Sequence, residues 1–563
     1  MIRVADYIAD FIYNQGVKRI FMLSGGGMMF LSDGVAKHPH LKYVCNHHEQ
    51  AAAMGGVGYA KYREDISCVY VTTGCGGTNA ITGLLDAWQD STPVIFISGQ
   101  SKRKETIRNS GLKLRQFGVQ EADIISIVKP ITKYAVMVND PRQVRYHLEK
   151  AVHLSKSGRP GPVWIDVPMD VQAAMVDETA LGGYRGKAGS TKKNISCAAG
   201  ELNAILSKSR RPVIIAGQGV RLSHCVKEFR EFIERYRIPV VASRLGIDVL
   251  PSGHPLFIGR IGNKGDRAGN FAVQNADTVI VMGSRLSVSS TGHEYSLFAR
   301  EAKIVVIDID PVEHAKKTVR IDLFIKADLK EFLLAKGGYP VETDSAWLEK
   351  CRVYKEKYPV CLPEYRNNAN GVNLYYFVNR LAELMPAGTP VVSDAGSSVY
   401  VVSQAFMFKE GQRHVTSGGQ ADMGYGLPAG IGVSVARDMG EVVVVTGDGS
   451  FQLNIQELQT LKHYGLPVKV FVWNNDGYLS IRATQKKFFS GRYIGTDSTS
   501  GLSFPDLEKI AGAYGLSYHK ISNSAGVEDG IRKVLAQKGP VVCEVVCDRD
   551  QEIKPTVSAF TRP

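Results

Sequence analysis

The segment Gly447-Asp448-Gly449-Ser450, followed one strand later by Trp473-Asn474-Asn475-Asp476-Gly477, constrains this chain more than any other. The run Val442-Val443-Val444-Val445 reads as a strand that feeds a glycine turn carrying one acidic residue. A helix-like stretch follows, and a second apolar strand, Val468-Lys469-Val470-Phe471-Val472-Trp473, ends on paired asparagines. Glycines let backbone come close to a diphosphate, whose charge is offset by N–H groups and a helix N-terminus. Asp448 and the Asn475 amide oxygen are hard ligands, suited to Mg2+ held beside phosphates. Two such strand ends side by side predict a metal-diphosphate site.

A chain of 563 residues is too long for one core and predicts about three domains. Hydrophobic content of 44% and charged content of 22% place it among globular proteins. Uninterrupted apolar runs long enough to span a bilayer are absent, and Met1-Ile2-Arg3-Val4-Ala5-Asp6 has no apolar signal core, so a cytoplasmic protein without membrane attachment is expected. The nine cysteines form no C-x-x-C pair; Cys543 and Cys547 fall on one face of a strand-like run and read as core residues. The net charge of +13 is spread along the chain without a basic block, which argues against nucleic acid as a partner.

Strand-like and helix-like patterns alternate throughout, which predicts an α/β fold of three doubly wound parallel-sheet domains. The first covers 1–172 and closes on Gly158-Arg159-Pro160-Gly161-Pro162-Val163-Trp164-Ile165-Asp166-Val167-Pro168. After a polar linker (182–193), a central domain at 190–336 holds three strands that each end at glycine or aspartate: Pro212–Gly217, Thr278–Gly283 and Ile304–Asp310. A charged, Tyr-rich connector (337–370) precedes the third domain, 370–563, which carries the opening motif.

Five further segments stand in a fixed order: His48-Glu49-Gln50-Ala51-Ala52-Ala53-Met54, Gly74-Cys75-Gly76-Gly77-Thr78-Asn79, Gly158-Arg159-Pro160-Gly161-Pro162, Thr416-Ser417-Gly418-Gly419 and Met423-Gly424-Tyr425-Gly426-Leu427-Pro428-Ala429. With the opening motif they resemble, over nearly the whole length, the thiamine-diphosphate-dependent decarboxylase and carboligase superfamily in its acetolactate-synthase-like branch. The resemblance implies a pyrimidine-binding first domain, a central domain, and a third domain that binds diphosphate and Mg2+. It makes Glu49 the activating carboxyl that shuttles a proton at pyrimidine N1′, a role that calls for a buried group. Met423 becomes the apolar wedge that bends the cofactor, and the backbones of Ala421 and Met423 its pyrimidine partners. Asp448, Asn475 and the Gly477 carbonyl become Mg2+ ligands. Gly447, Gly449, Ser450, Ser397 and Ser398 would hold phosphate oxygens, and Gly26, Asn79 and Leu479 would complete the cofactor contacts.

The same resemblance assigns Gln120, in Phe117-Gly118-Val119-Gln120-Glu121, to the glutamine of carboligases. Two departures concern the acceptor. Val119 replaces the usual phenylalanine, and in Tyr478-Leu479-Ser480-Ile481-Arg482-Ala483-Thr484-Gln485 the positions of a methionine and a tryptophan carry Ser480 and Thr484. Val119, Ser480, Arg482 and Thr484 are therefore the expected acceptor pocket, with Arg482 and Gln485 suited to a polar or phosphorylated acceptor. This run is similar to that of carboligases that add an acetyl unit to nucleotide-linked keto sugars. FAD is a candidate second cofactor, on Gly217, Gly219, Gly283, Ser284, Arg285, Asp308, Asp310 and Asp328, although Arg285-Leu286-Ser287-Val288-Ser289 departs from the run common in flavoprotein members.

The resemblance thus implies a transferase or lyase that decarboxylates a 2-oxo acid such as pyruvate and passes the acyl carbanion equivalent to a second carbonyl. Acetolactate synthase proper, a simple 2-oxo-acid decarboxylase or C–C lyase, and a flavin-dependent oxidase stand as alternatives. The active site is expected between copies of the chain, in a homodimer or homotetramer.

Overall fold

The computed structural model describes residues 1–186, 189–335 and 338–555. The expected edge of the central domain at 336 and the start of the connector at 337 lie outside the described residues. Eighteen strands form three six-stranded sheets in which every pairing is parallel.

The first sheet comprises β1 (Arg19–Met22), β2 (Lys42–Cys45), β3 (Ser67–Val71), β4 (Val94–Gln100), β5 (Tyr134–Met137) and β6 (Val163–Pro168), in the order β2-β1-β3-β4-β6-β5. The central sheet holds β7 (Pro212–Ala216), β8 (Val240–Ala242), β9 (Phe257–Arg260), β10 (Thr278–Met282), β11 (Lys303–Asp308) and β12 (Leu323–Lys326), ordered β9-β8-β7-β10-β11-β12. In the third sheet, β13 (Val391–Ser393), β14 (His414–Val415), β15 (Val442–Gly447), β16 (Val468–Asn474), β17 (Ser517–Ile521) and β18 (Val541–Val546) run β14-β13-β15-β16-β18-β17. Val442 to Val445 are all fully buried, which explains an unbroken valine run in place of alternation: helices cover both faces of the sheet.

Each order has a reversal inside the sheet, between β1 and β3, between β7 and β10, and between β13 and β15. Crevices for ligands open at the carboxyl ends of strands at such reversals. The loops there are Gly25-Gly26-Gly27 with Gly74, Gly217-Gln218-Gly219 with Gly283, and Gly396-Ser397-Ser398 with Gly447-Asp448-Gly449.

The first and third domains meet along two buried helices, α1 (Glu49–Arg63) and α2 (Gly426–Ala436). A Cβ on Gly58 would lie 2.7 Å from the Ala429 carbonyl oxygen, and one on Gly432 would lie 2.0 Å from that of Gly55. Helix-interior glycine costs about 0.5–1 kcal/mol against alanine; here it lets the backbones touch, which no side chain would permit. All of α2 is buried, so its sequence carries no polar face.

Candidate active site

In the third domain β15 ends on Gly447, and Asp448 opens a short helix, Asp448–Gln452. Asp448 is 4% exposed. Its Oδ2 accepts from the N–H groups of Asn475 (3.0 Å) and Gly477 (3.1 Å), and Oδ1 from Gly449 (2.7 Å). One carboxylate thereby pins the loop after β16 against the end of β15. Burial pushes this carboxyl up to about 6, with the Gly477, Gly449 and Asn475 N–H groups opposing the rise. A buried carboxylate of this kind favours a cation beside it.

Three observations test whether the residues fit Mg2+ and a diphosphate. The Asn475 Oδ1 is buried with no hydrogen-bond partner, as an amide oxygen reserved for a cation would be. A Cβ on Gly447 would meet nothing within 4 Å, so the strand end faces open space. Among the described residues no cluster of three or more His, Cys, Asp or Glu is placed for a metal. A single carboxylate with amide and carbonyl oxygens suits Mg2+ that takes its remaining ligands from phosphates and water. The residues fit the group.

The loop after β13 supplies the other wall. Ser397 and Ser398 are the first residues of α3 (Ser397–Ala405), whose N-terminus opens beside the β13–β15 reversal. Ser398 Oγ donates to the Ala395 carbonyl at 2.9 Å, and Gly396 sits at φ +62°, 3.5 Å (as a Cβ) from the Ser480 hydroxyl. Asp394, to which the sequence pattern assigns no role, ties the walls together. Its carboxylate accepts from Ala395 N (2.8 Å), Gly424 N (3.1 Å), Gly426 N (2.8 Å) and Thr446 Oγ1 (3.0 Å). It thus fixes the turn that carries Met423, which is half-buried, just upstream of α2. Ala421 takes the left-handed conformation at φ +56°, as do Asp476 (+54°) and Gln120 (+58°). For alanine and glutamine this is a strained backbone, held only where the surroundings dictate it.

Glu49 lies in the first domain as the first residue of α1, 6% exposed, behind His48, whose Nδ1 caps the helix by accepting from Gln50 N at 3.0 Å. Asn79 Nδ2 donates to Glu49 Oε2 at 3.0 Å, and Oε1 lies 3.4 Å from where a Cβ on Gly76 would stand. Gly74, at φ +61°, lets the Gln120 carbonyl oxygen come within 2.0 Å of its own Cβ position. Glu49, Asn79, Gly74, Gly76 and Gln120 are therefore neighbours, with Gly26 exposed in the loop after β1. A second residue that sequence reasoning missed is Glu457, fully buried in the third domain. It accepts from Asn46 Nδ2 and His47 N at 2.9 Å each, holding the loop that leads into Glu49.

Around the expected acceptor pocket, the structure corrects Arg482. It is 4% exposed, and its guanidinium donates to the carbonyls of Asp476 (2.9 Å), Asn475 (2.8 Å) and Arg549 (2.7 Å). Both terminal nitrogens of its guanidinium are thereby committed to backbone carbonyls. Gln485 likewise exchanges hydrogen bonds with Ile494. Leu479 is buried, Ser480 faces Gly396, and Thr484 is exposed, with its hydroxyl on the Ser480 carbonyl at 3.0 Å. Of the helix α4 (Leu479–Phe489) only Leu479 and Arg482 are buried, and Val119 across the first domain is 85% exposed.

The central reversal opens into a crevice lined by Gly219, Gly283, Ser284, Arg285, Asp308 and Asp328, with Arg159 and Arg244. Gly217 is not on its wall: a Cβ there would lie 2.1 Å from the Gly283 carbonyl oxygen, so that glycine serves packing. Asp328 caps the helix Leu329–Leu333 through Lys330 N and Glu331 N, and Asp310 pairs with Arg159 at 3.1 Å.

The fold and this site define an α/β enzyme with a buried carboxylate beside an open glycine turn at one sheet reversal and a second buried carboxyl, Glu49, at another. The chain belongs to the thiamine pyrophosphate enzyme family. Its residues 2–126 match the N-terminal TPP binding domain of that family, 200–335 the central domain, and 394–545 the C-terminal TPP binding domain. It is 33% identical over 551 residues to the acetolactate synthase large subunit of Lactococcus lactis subsp. lactis (strain IL1403), covering 97% of this chain and 92% of that one. It is 32% identical over 562 residues to a probable acetolactate synthase large subunit of Methanocaldococcus jannaschii, covering 97% and 92%. To the large subunit of acetolactate synthase isozyme 2 of Escherichia coli (strain K12) it is 30% identical over 558 residues, covering 98% and 97%. It is thus a thiamine-diphosphate-dependent enzyme related to the acetolactate synthases.

Proposed function

We propose that this enzyme is a carboligase that decarboxylates a 2-oxo acid, with pyruvate the natural candidate, and adds the resulting acyl carbanion equivalent to a second carbonyl. The observation that carries the reading is the pairing of a metal-diphosphate site at Asp448, Asn475 and Gly477 with a buried Glu49 at the start of α1. Bound thiamine diphosphate supplies the electron sink for decarboxylation. Asp448, the Asn475 amide and the Gly477 carbonyl hold Mg2+, while Gly447, Gly449, Ser450, Ser397 and Ser398 hold the phosphate oxygens. Glu49, with Oε2 engaged by Asn79, keeps Oε1 to carry a proton at pyrimidine N1′. Met423 and the backbone at Ala421 orient the ring, and Gly26 and Leu479 line it.

Among the described residues no hydrogen bond or ion pair joins Glu49 to Met423, Asp448 or Asn475. In addition, Leu112, Leu114, Phe117 and Val119 in the first domain and Ile481, Phe488, Phe489, Tyr493 and Ile494 in the third are exposed on a single chain. These exposed apolar residues support a homodimer or higher homo-oligomer, in which Glu49 of one copy would face the diphosphate site of another. The division into domains at 1–172, 190–336 and 370–563, FAD in the central crevice and residence in the cytoplasm belong to the same proposal.

For the acceptor, Ser480 and Thr484 carry small hydroxyl side chains and Val119 a short aliphatic one where the resemblance puts bulkier residues. That supports an acceptor larger than pyruvate, such as a nucleotide-linked keto sugar. The likeness to acetolactate synthases favours pyruvate or 2-oxobutyrate as the second reading. Mass spectrometry of products from 13C-labelled pyruvate, with and without 2-oxobutyrate or nucleotide-linked 4-keto sugars, decides. A labelled two-carbon unit on the sugar is expected; labelled acetolactate alone selects the second reading, and labelled acetaldehyde alone overturns carboligation.

A further inference from the structure

The segment from Thr416 to Met423 is gripped at its start by groups from both other domains. Asp90, 2% exposed at the end of the helix Ile81–Gln89, accepts from Gly418 N through Oδ2 (2.7 Å) and from Gly419 N through Oδ1 (2.8 Å). Lys61, near the end of α1, donates from Nζ to Asp90 Oδ2 (2.7 Å), Asp86 Oδ2 (2.9 Å) and the Thr416 carbonyl (2.8 Å). From the central domain, Arg244 Nη1 donates to the Gly418 carbonyl at 3.2 Å, while its guanidinium lies over the Tyr400 ring. A Cβ on Gly418 would lie 2.6 Å from the Leu245 side chain, and one on Gly419 would lie 3.0 Å from Asp90 Oδ1. Only glycines allow the backbone to settle this deep.

We infer that Asp90, backed by Lys61 and opposed by Arg244 across the Gly418 peptide, is a positioning residue that sets the Ala421–Met423 backbone for the cofactor's aminopyrimidine ring. The inference rests on the assignment of Ala421 and Met423 made above. Asp86 and Asp90 share one ammonium in a buried space, so Asp90 needs further donors, and the successive N–H groups of Gly418 and Gly419 supply them. Burial pushes the Asp86 carboxyl well up; burial opposes the charge of Asp90 too, but Lys61 and the Gly418 N–H outweigh it and hold its carboxyl below the usual range. Two residues past the clamp, Ala421 N donates to the Ser417 carbonyl at 3.1 Å and Ala421 is left in its strained φ of +56°. Such a conformation persists only where its flanks are fixed. Neither Asp90 nor Lys61 touches the reacting atoms.

The test is Asp90→Asn in the full-length protein, read by hydrogen exchange of the cofactor-free form and by titration with thiamine diphosphate and Mg2+. The asparagine keeps the shape but removes the charge and one acceptor. Exchange across 414–425 is expected to quicken about tenfold with the rest of the chain unchanged, and the Kd for thiamine diphosphate to rise about tenfold. At saturating cofactor the KM for the 2-oxo acid should stay as in the parent. Lys61→Met should reproduce both effects and Lys61→Arg should restore them, a rescue that general loss of stability would not give. Unchanged exchange across 414–425 overturns the clamp. Quicker exchange with an unchanged Kd overturns instead the assignment of Ala421 and Met423 on which it rests. Should Asp90→Asn fail to fold, Arg244→Gln loosens the same peptide from the other side, and unaltered exchange there also overturns the inference.

Discussion

The first and third domains share one strand order and differ in what they do with it. In both, the edge strand next to the reversal feeds a loop and then a buried helix: β2 leads through Asn46, His47 and His48 to α1, and β14 leads through the segment 416–425 to α2. The first domain puts a carboxyl, Glu49, on that helix start. The third puts the strained Ala421 and the half-buried Met423 just before it. Their reversals differ as well. At β1–β3, Cβ atoms on Gly25 and Gly27 would lie 2.5 Å from Thr72 and 2.8 Å from Thr73, so the loops close on each other. At β13–β15, Gly447 faces open space and Asn475 Oδ1 has no partner. One topology thus serves either to close its loops on each other or to leave a strand end open beside an unpartnered amide oxygen. Chemistry is decided by a few side chains on the fold and not by the fold itself.

Breaking the first-domain half should have the largest effect. Glu49→Gln is expected to lower kcat about a thousandfold while the Kd for thiamine diphosphate changes little; parent-like turnover would falsify the proton-carrying role. Breaking the third-domain half reverses the pattern. Asp448→Ala should weaken Mg2+-dependent binding of thiamine diphosphate by more than about a hundredfold in calorimetric titration, and tight binding in that variant would remove Asp448 from the metal set. The two glycines flanking Asp448 sharpen the contrast further. In Gly447→Ala the methyl enters open space, so cofactor-free melting should hold while cofactor affinity drops about tenfold. In Gly449→Ala the methyl would lie 2.0 Å from the Tyr478 ring, so melting itself should fall, by about 1–3 kcal/mol of stability. Equal behaviour of the two variants would show that the site is not open on the Gly447 side.

The smallest effect concerns the β13–β14 edge. His414 is buried against Ser393, with Asp248 at its backbone, and burial lowers its pKa to about 4 from 6.5, with Arg244, Arg260 and Lys61 also disfavouring its charge. Between these values the unfolded chain binds the proton and the folded one does not, so stability falls as pH drops from 6.5 towards 4. His414→Gln should flatten that slope by on the order of 1–3 kcal/mol in denaturant melts at pH 7 and pH 4.5. Parallel slopes in parent and variant would show that another group governs the acid limb.

Much of this was readable from sequence because its signals are local. A valine run before Gly-Asp-Gly, a second strand ending on Asn-Asn, and glycines at strand ends each mark a position within a few residues of one another. Asp394 and Glu457 left no such mark, because their partners are backbone N–H groups and amides brought in from distant segments. Arg482 was misplaced for a related reason: helical spacing gives a residue's angle but not which side of the helix is covered, and the carbonyls of Asn475, Asp476 and Arg549 lie on the side that was taken to face an acceptor. Gly217 shows the same limit, since a glycine required by another backbone looks in sequence like one required by a ligand.

The glycine-to-glycine crossing of α1 and α2 has a consequence for how the protein is made. Eleven of the fifteen residues of α1 are buried, and the helix that covers them is itself buried throughout. That partner starts more than 360 residues later in the chain. At about 5–20 residues per second, a nascent chain holds the bare face of α1 for tens of seconds before the cover leaves the ribosome. Its apolar and glycine-rich surface makes α1 the place where a chaperone is needed first, and where premature pairing between neighbouring nascent chains would begin.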